Sequence, residues 1–429
     1  MKPLFTVFST LTLLVVSAFA QSPQEMAKAR QAEQLAARAY QAKDHSEFLT
    51  QMSLANIARP NHPRLIYNLA SAFAANGQTE NSLNLLERLA RMGLFFDIAK
   101  DVEFKDFASM DRFRAIVARF AENKLAVNNS TRAFTIDDKT LITEGIAYNP
   151  KTRTFYVGSI HQRKIVAIDR NGVATDLSAP TDGLWSVLGM RVDPERGWLW
   201  ACTTAFPQMR GFEVKDKGRS GIFKYDIRTG KVVKKYILPD GDHALGDLLI
   251  GRDGIIYATD SISPVIYRID SKRDELEEFV RSDNFVSLQG LAFSAGDKEM
   301  FVADYSKGIF RIDMATKNIV QLTPGESVTL LGIDGLYFYR GGLIAIQNGI
   351  TPHRVVSIAI AGGRIEEFKT LEANHADFME PTLGFLIGDE FYYVANSQWP
   401  LVNGKAELNS DKLRQPVVLK LNVKKALAK

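Results

Sequence analysis

At 429 residues the chain is long enough for two domains, and 53 basic against 49 acidic side chains leave a formal charge of only +4. No dense Lys/Arg cluster interleaved with aromatics occurs, which argues against a nucleic-acid partner. The single cysteine, Cys202, excludes an intrachain disulfide, so the fold must rest on its core.

Residues 1–20 read as an export signal. Lys2 supplies the positive end, an apolar run follows, and Ala18-Phe19-Ala20 is a small-x-small cleavage site. The run is too short for a membrane span and lacks a basic stop-transfer flank. The expectation is a mature periplasmic protein with no membrane span after cleavage, carrying a charge of +3 once Lys2 is gone.

Residues 21–125 are expected to form a helical domain. Apolar positions recur at helical spacing over 25–42, 46–57, 64–75, 79–91 and 112–123. Pro60 and Pro63 punctuate the second and third helices, and Gly77 and Gly93 sit where C-terminal caps belong. The segments starting at Tyr40 and Phe73 occupy matching places 33 residues apart, which resembles the tetratricopeptide repeat, a helix pair of about 34 residues. Such repeats imply a protein or peptide partner. An ordinary helical bundle packed on the next domain fits the pattern equally well.

After a polar linker at 125–131, the pattern changes to short β-branched and aromatic runs bounded by Gly, Asp, Asn and Pro. A strand behind a polar or small residue begins near Glu144, Leu188, Gly246, Gln289, Asp334 and Leu383, at spacings of 44, 58, 43, 45 and 49 residues. A second strand follows each within about ten residues, and usually a third. A repeat of this size signals a six-bladed β-propeller over 131–425. Cys202 falls in a buried strand and reads as a small core hydrophobe. The lone strand at 133–136 precedes blade one without a partner there, so it is expected to close blade six from outside.

In a propeller the starts of the first strands and the ends of the second strands open at one tunnel mouth. Glu144, Asp247, Gln289 and Asp334 are therefore expected at an inner ring, beside Ser159, Thr203, Asp260, Asp304, Asn348 and Asn396. His161, His243 and His353 lie in or near the same loops. Hard oxygen donors without thiols suit calcium rather than zinc. Asp260 and Asp304 also read as ordinary turn closers.

On Glu144-Gly145, Asp334-Gly335-Leu336 and strand pairs such as 253–260, the region 143–423 resembles the family of senescence marker protein (regucalcin), gluconolactonase and luciferin-regenerating enzyme. The resemblance implies one divalent cation, often calcium, held by a Glu of blade one, Asn of blades three and four, and Asp of blade five. Glu144 and Asp334 match. Gln289 stands where the family has Asn, and Gly246-Asp247 where it has Asn-Asp. Two functions follow as expectations. One is a metal-dependent hydrolase of a lactone, ester or phosphoester, its cation held by Glu144, Asp247, Gln289 and Asp334, with Asp334, His161 or His353 in catalysis. The other is a non-catalytic exported protein that binds a small molecule at the mouth and a protein through the helices.

Overall fold

The structure, a computed structural model, describes residues 23–270, 272–361 and 363–429; the expected export signal at 1–20 lies outside them. Two helical hairpins come first: α1 (Pro23–Gln41) with α2 (His45–Ala58), and α3 (Pro63–Ala75) with α4 (Thr79–Arg91). Asp44 caps α2 by accepting from the Glu47 N–H at 3.0 Å, and Pro63 opens α3 with its fixed φ. The hairpin turns pass through left-handed residues, Lys43 in the first and Gly77 in the second. The fifth helix, α5 (Asp111–Asn123), follows two short 3-10 turns and buries Phe113, Ile116 and Phe120 with Leu83, Leu86 and Phe104. Burial of this apolar stripe, rather than propensity, holds helices of such length.

The rest is six antiparallel sheets of four strands, the expected propeller. The inner strands are Thr143–Asn149, Ser186–Asp193, Leu245–Ile250, Leu288–Phe293, Ile333–Tyr339 and Gly384–Ile387. In blades one to five the four strands follow in chain order. Blade six takes its outer strand, Ser130–Thr135, from the other end of the propeller, paired to Val417–Asn422. That closure covers an edge which would otherwise offer unpaired N–H and C=O groups. Phe134 and Phe385 of blade six pack on Phe155 and Tyr148 of blade one, with centroids 4.8 and 5.7 Å apart. Blade six begins later than expected. Thr382 and Leu383 precede its inner strand and donate instead to the Glu144 carbonyl, from Oγ1 at 2.8 Å and from the backbone N–H at 3.3 Å. A short terminal helix, α6 (Val423–Leu427), follows the last strand.

The helices are joined to the mouth face of blades four and five. Arg354 is 1% exposed. It donates from Nη1 to the Met92 carbonyl at 3.0 Å and from Nε to Gln347 Oε1 at 2.7 Å, and its guanidinium lies over Phe368. Gly93 permits this approach: φ is +71°, and a Cβ there would sit 2.9 Å from Arg354 Nη1. The Phe95 N–H bonds the Thr351 carbonyl at 2.9 Å. The segment read as a polar linker is itself tied down. Val127 bridges Ala373, and Glu372 Oε2 accepts from the N–H groups of Asn129 and Ser130.

Candidate active site at the tunnel mouth

The inner strands of blades one to five share one irregularity. In each, the pairing slips between Thr143 and Ile146, Val187 and Met190, Leu245 and Leu248, Leu288 and Leu291, or Ile333 and Leu336. The two residues inside each slip are Glu144-Gly145, Leu188-Gly189, Gly246-Asp247, Gln289-Gly290 and Asp334-Gly335. A bulge re-aims a side chain and interrupts the ladder, so the candidate ligands stand on a feature repeated around the ring. The glycine of the pair is demanded by close packing at the axis. A Cβ on Gly145 would lie 2.0 Å from the Leu188 carbonyl oxygen, and one on Gly290 2.5 Å from that of Asp334.

Blades one, five and six, consecutive around the ring, bring three carboxyl groups within mutual electrostatic reach. Glu144 is buried and accepts a short hydrogen bond from Trp399 Nε1. Asp334 is buried and accepts from Asn348 Nδ2 at 2.8 Å; Asn348 is oriented in turn by the Tyr305 hydroxyl on its Oδ1 at 3.1 Å and by the Pro381 carbonyl on Nδ2 at 3.0 Å. Glu380 supplies the third carboxyl, and its Oε2 is buried with no hydrogen-bond partner. Burial pushes the Glu144 carboxyl well above the carboxylate range, and the neighbouring charges of Asp334, Glu380 and Asp247 push the same way against the Trp399 donor. Asp334 is raised from 3.8 to about 7, first by burial, with Asn348 opposing and Glu380 adding to the rise. Glu380 is raised by burial. Acids this close in a dry site cannot all ionise without a counter-charge.

The other expected ring members go elsewhere. Gly246 leaves blade three without a side chain at the ligand position. Asp247, where the other slips carry glycine, is 1% exposed. It pairs with Arg191 of blade two, Nη2 to Oδ2 at 3.1 Å, and accepts the Leu248 N–H on Oδ1 at 2.8 Å. Gln289 turns its amide nitrogen to Ser287 Oγ at 3.2 Å. His161 has both ring nitrogens engaged, Nδ1 at the Gln208 carbonyl and Nε2 accepting from Arg210 Nε. Burial and Arg210 hold its pKa below the usual imidazole value. A neutral ring with its lone pair occupied is no base. His353 is lowered by burial, and its carbonyl accepts the Asn374 N–H; no acid of the cluster is among its partners. His243 bonds Asp260 Oδ2 at 2.8 Å. Asp260 and Asp304 close turns by accepting several backbone N–H groups. Asn396 holds the Val417 N–H and the Gln415 carbonyl, and Ser159 bonds the Leu141 carbonyl.

The donor chemistry suits a hard cation in part. Glu144, Asp334 and Glu380 offer carboxylate oxygens, one of them orphaned, and a cation would relieve their repulsion. Asp247 is committed to Arg191 and the Leu248 N–H, whereas Gln289 engages its amide nitrogen and leaves its Oε1 near Gly246. As the side chains stand, no group of three His, Cys, Asp or Glu among the described residues is drawn together tightly enough to hold an ion.

Sequence reasoning missed Glu380, Trp399, Tyr305 and Arg191. Glu380 lies outside the inner strand at a left-handed φ of 63° and carries no repeat signal. Trp399 reaches Glu144 from 255 residues away.

No family model and no curated protein matches the sequence. Solved propellers are similar. A gluconolactonase from Xanthomonas campestris is 15% identical over 69% of this chain and 99% of its own, with a TM-score of 0.45. A luciferin-regenerating enzyme is 13% identical over 68% and 95%, at 0.46. Virginiamycin B lyase from Staphylococcus aureus is 16% identical over 61% and 80%, at 0.44. The likeness is one of fold, and the chain is a six-bladed β-propeller, similar to gluconolactonase and luciferin-regenerating enzyme structures, preceded by about five helices.

Proposed function

We propose that the mouth is the active site of an exported, cation-dependent hydrolase acting on a lactone, ester or phosphoester. The observation that supports it is the group Glu144, Asp334 and Glu380: three carboxyls from consecutive blades, two of them on buried residues and the third half-buried with one buried oxygen lacking any partner among the described residues. A divalent cation of the calcium class held by them would polarise the carbonyl or phosphoryl oxygen and acidify a water. The chain's own groups have distinct parts. Trp399 fixes Glu144 in orientation. Asn348, steadied by Tyr305, points one oxygen of Asp334. Without a cation the Asp334 carboxyl is raised to about 7, and a divalent cation bound there would hold it ionised as a ligand. The test is turnover on a panel of lactones, aryl esters and phosphotriesters. Activity that EDTA removes, calcium restores and Asp334→Asn abolishes supports the reading; a folded protein inert on every substrate with calcium, magnesium and manganese rejects it.

A second reading, a non-catalytic binding protein, is favoured by one observation: the helices and the mouth face together line a cavity of about 520 Å³. Its size falls within the range of small-molecule pockets.

A further inference from the structure

Beside that cavity, sharing part of its wall, lies a small recess that holds two buried cations. Arg59, at the end of α2, is 9% exposed, and Lys307, in the loop after the second strand of blade four, is 4% exposed. Among the described residues neither forms an ion pair. Arg59 donates from Nη2 to the Ser306 carbonyl at 3.2 Å, and its buried Nε has no partner. Lys307 Nζ donates to the Asn284 carbonyl at 2.8 Å. The acids within range are spoken for: Glu33 pairs with Arg64 at 3.0 Å, Asp97 with Lys100 at 2.7 Å, and Asp304 accepts three backbone N–H groups. His62 lines the same recess as the two cations, with a buried, unpartnered Nδ1. A recess of about 40 Å³ lined by Arg59, His62 and Lys307 shares the walls Arg59, His62 and Leu331 with the larger cavity.

Buried charges are normally paired, because each ion taken from water costs several kcal/mol that only an opposite charge or a full set of hydrogen bonds offsets. Two cations left with neutral carbonyls, beside an orphaned Nε and an orphaned imidazole nitrogen, make a place for an anion. Burial lowers Lys307 to about 8, with the charge of Asp304 opposing and that of Arg59 adding to the fall, and burial with the charges of Arg59 and Arg64 lowers His62 to about 3. The larger cavity is walled mostly by apolar surface, Phe95 and Phe96 contributing, and Tyr305 is also in its wall. We propose that the cavity binds a small organic acid, its carboxylate held between Arg59 and Lys307 and its apolar body lying along Phe95 and Phe96 toward Tyr305. Tyr305 connects this body to the mouth, since its hydroxyl bonds Asn348, which holds Asp334. The bound acid thereby bridges the helices and the propeller.

The inference does not depend on a cation at the mouth, and the experiment is run in EDTA so that the two fail separately. The full mature chain is titrated calorimetrically with 4-phenylbutyrate, with its neutral counterpart 4-phenylbutan-1-ol, and with inorganic phosphate. The acid should bind at least tenfold tighter than the alcohol and than phosphate, and Arg59→Gln and Lys307→Gln should each weaken it at least tenfold. Should Arg59→Gln fail to fold, Lys307→Gln and the acid–alcohol comparison on the unaltered chain decide. Equal binding of acid and alcohol, phosphate binding as tightly as the acid, no binding of the acid, or an affinity indifferent to the substitutions would each overturn the proposal.

Discussion

Replacing Asp334 by Asn should stabilise the metal-free protein at alkaline pH. Asn keeps the shape of Asp and an oxygen to accept from Asn348 Nδ2, and removes a charge from beside Glu144 and Glu380. The Asp334 carboxyl is raised in the folded chain from 3.8 to about 7. Between those values the folded chain holds a proton that the unfolded chain has released. The stability linked to this group is therefore fully present below pH 3.8 and lost as pH rises to about 7. At 1.36 kcal/mol per pH unit the loss at pH 8 reaches about 4 kcal/mol. For a domain of this size that corresponds to roughly 6 °C in melting temperature. Thermal melts in EDTA should show Asp334→Asn above the wild type by up to that amount at pH 8, and within about 1 °C of it at pH 4. A variant that melts lower than the wild type at pH 8 would refute the argument that burial, with the nearby carboxyls, makes ionised Asp334 costly in the metal-free protein.

Three further outcomes are expected. Arg191→Met should destabilise the chain by about 3–5 kcal/mol, because it strands the buried Asp247, and Arg191→Met with Asp247→Leu should recover most of the loss; chemical denaturation measures both. Deleting residues 130–135 should expose the edge of the strand Val417–Asn422 and convert a monodisperse elution profile to oligomers or aggregate in size-exclusion chromatography with light scattering. Cys202 is fully buried and its thiol is pushed well up by burial, so a thiol reagent should label it only after unfolding; rapid labelling of the native protein would contradict the packing of blade two.

Much of the architecture is legible before any coordinates, for a physical reason. A propeller repeats one local problem six times: a bulged inner strand with a glycine where backbones meet, then turns closed by Asp and Gly. Glu144-Gly145, Gln289-Gly290 and Asp334-Gly335 state that problem in local sequence, and the lone strand before blade one follows from the need to cover an edge. Helix ends were legible likewise, since Pro63 and Gly77 act within a turn of the chain. The site was legible only in part. Glu144 and Asp334 lie on the repeat, but Glu380 and Trp399 reach the mouth from irregular segments. Asp247 reads as a ligand until Arg191 is seen on the adjacent inner strand, a contact set by ring geometry rather than spacing. The partner of His161 was hidden for the same kind of reason: Arg210, 49 residues on, donates to its Nε2. The buried cations Arg59 and Lys307 come from different domains, so no local pattern joins them.

The most direct test is a calcium titration of the protein, stripped of metal, followed by calorimetry at pH 8. The account predicts one site per chain, with binding lost in Glu144→Gln and in Asp334→Asn while both variants keep a cooperative melt, and weakened in Glu380→Gln. An absence of heat for calcium, magnesium and manganese alike, from a wild-type protein that still melts cooperatively, would contradict it.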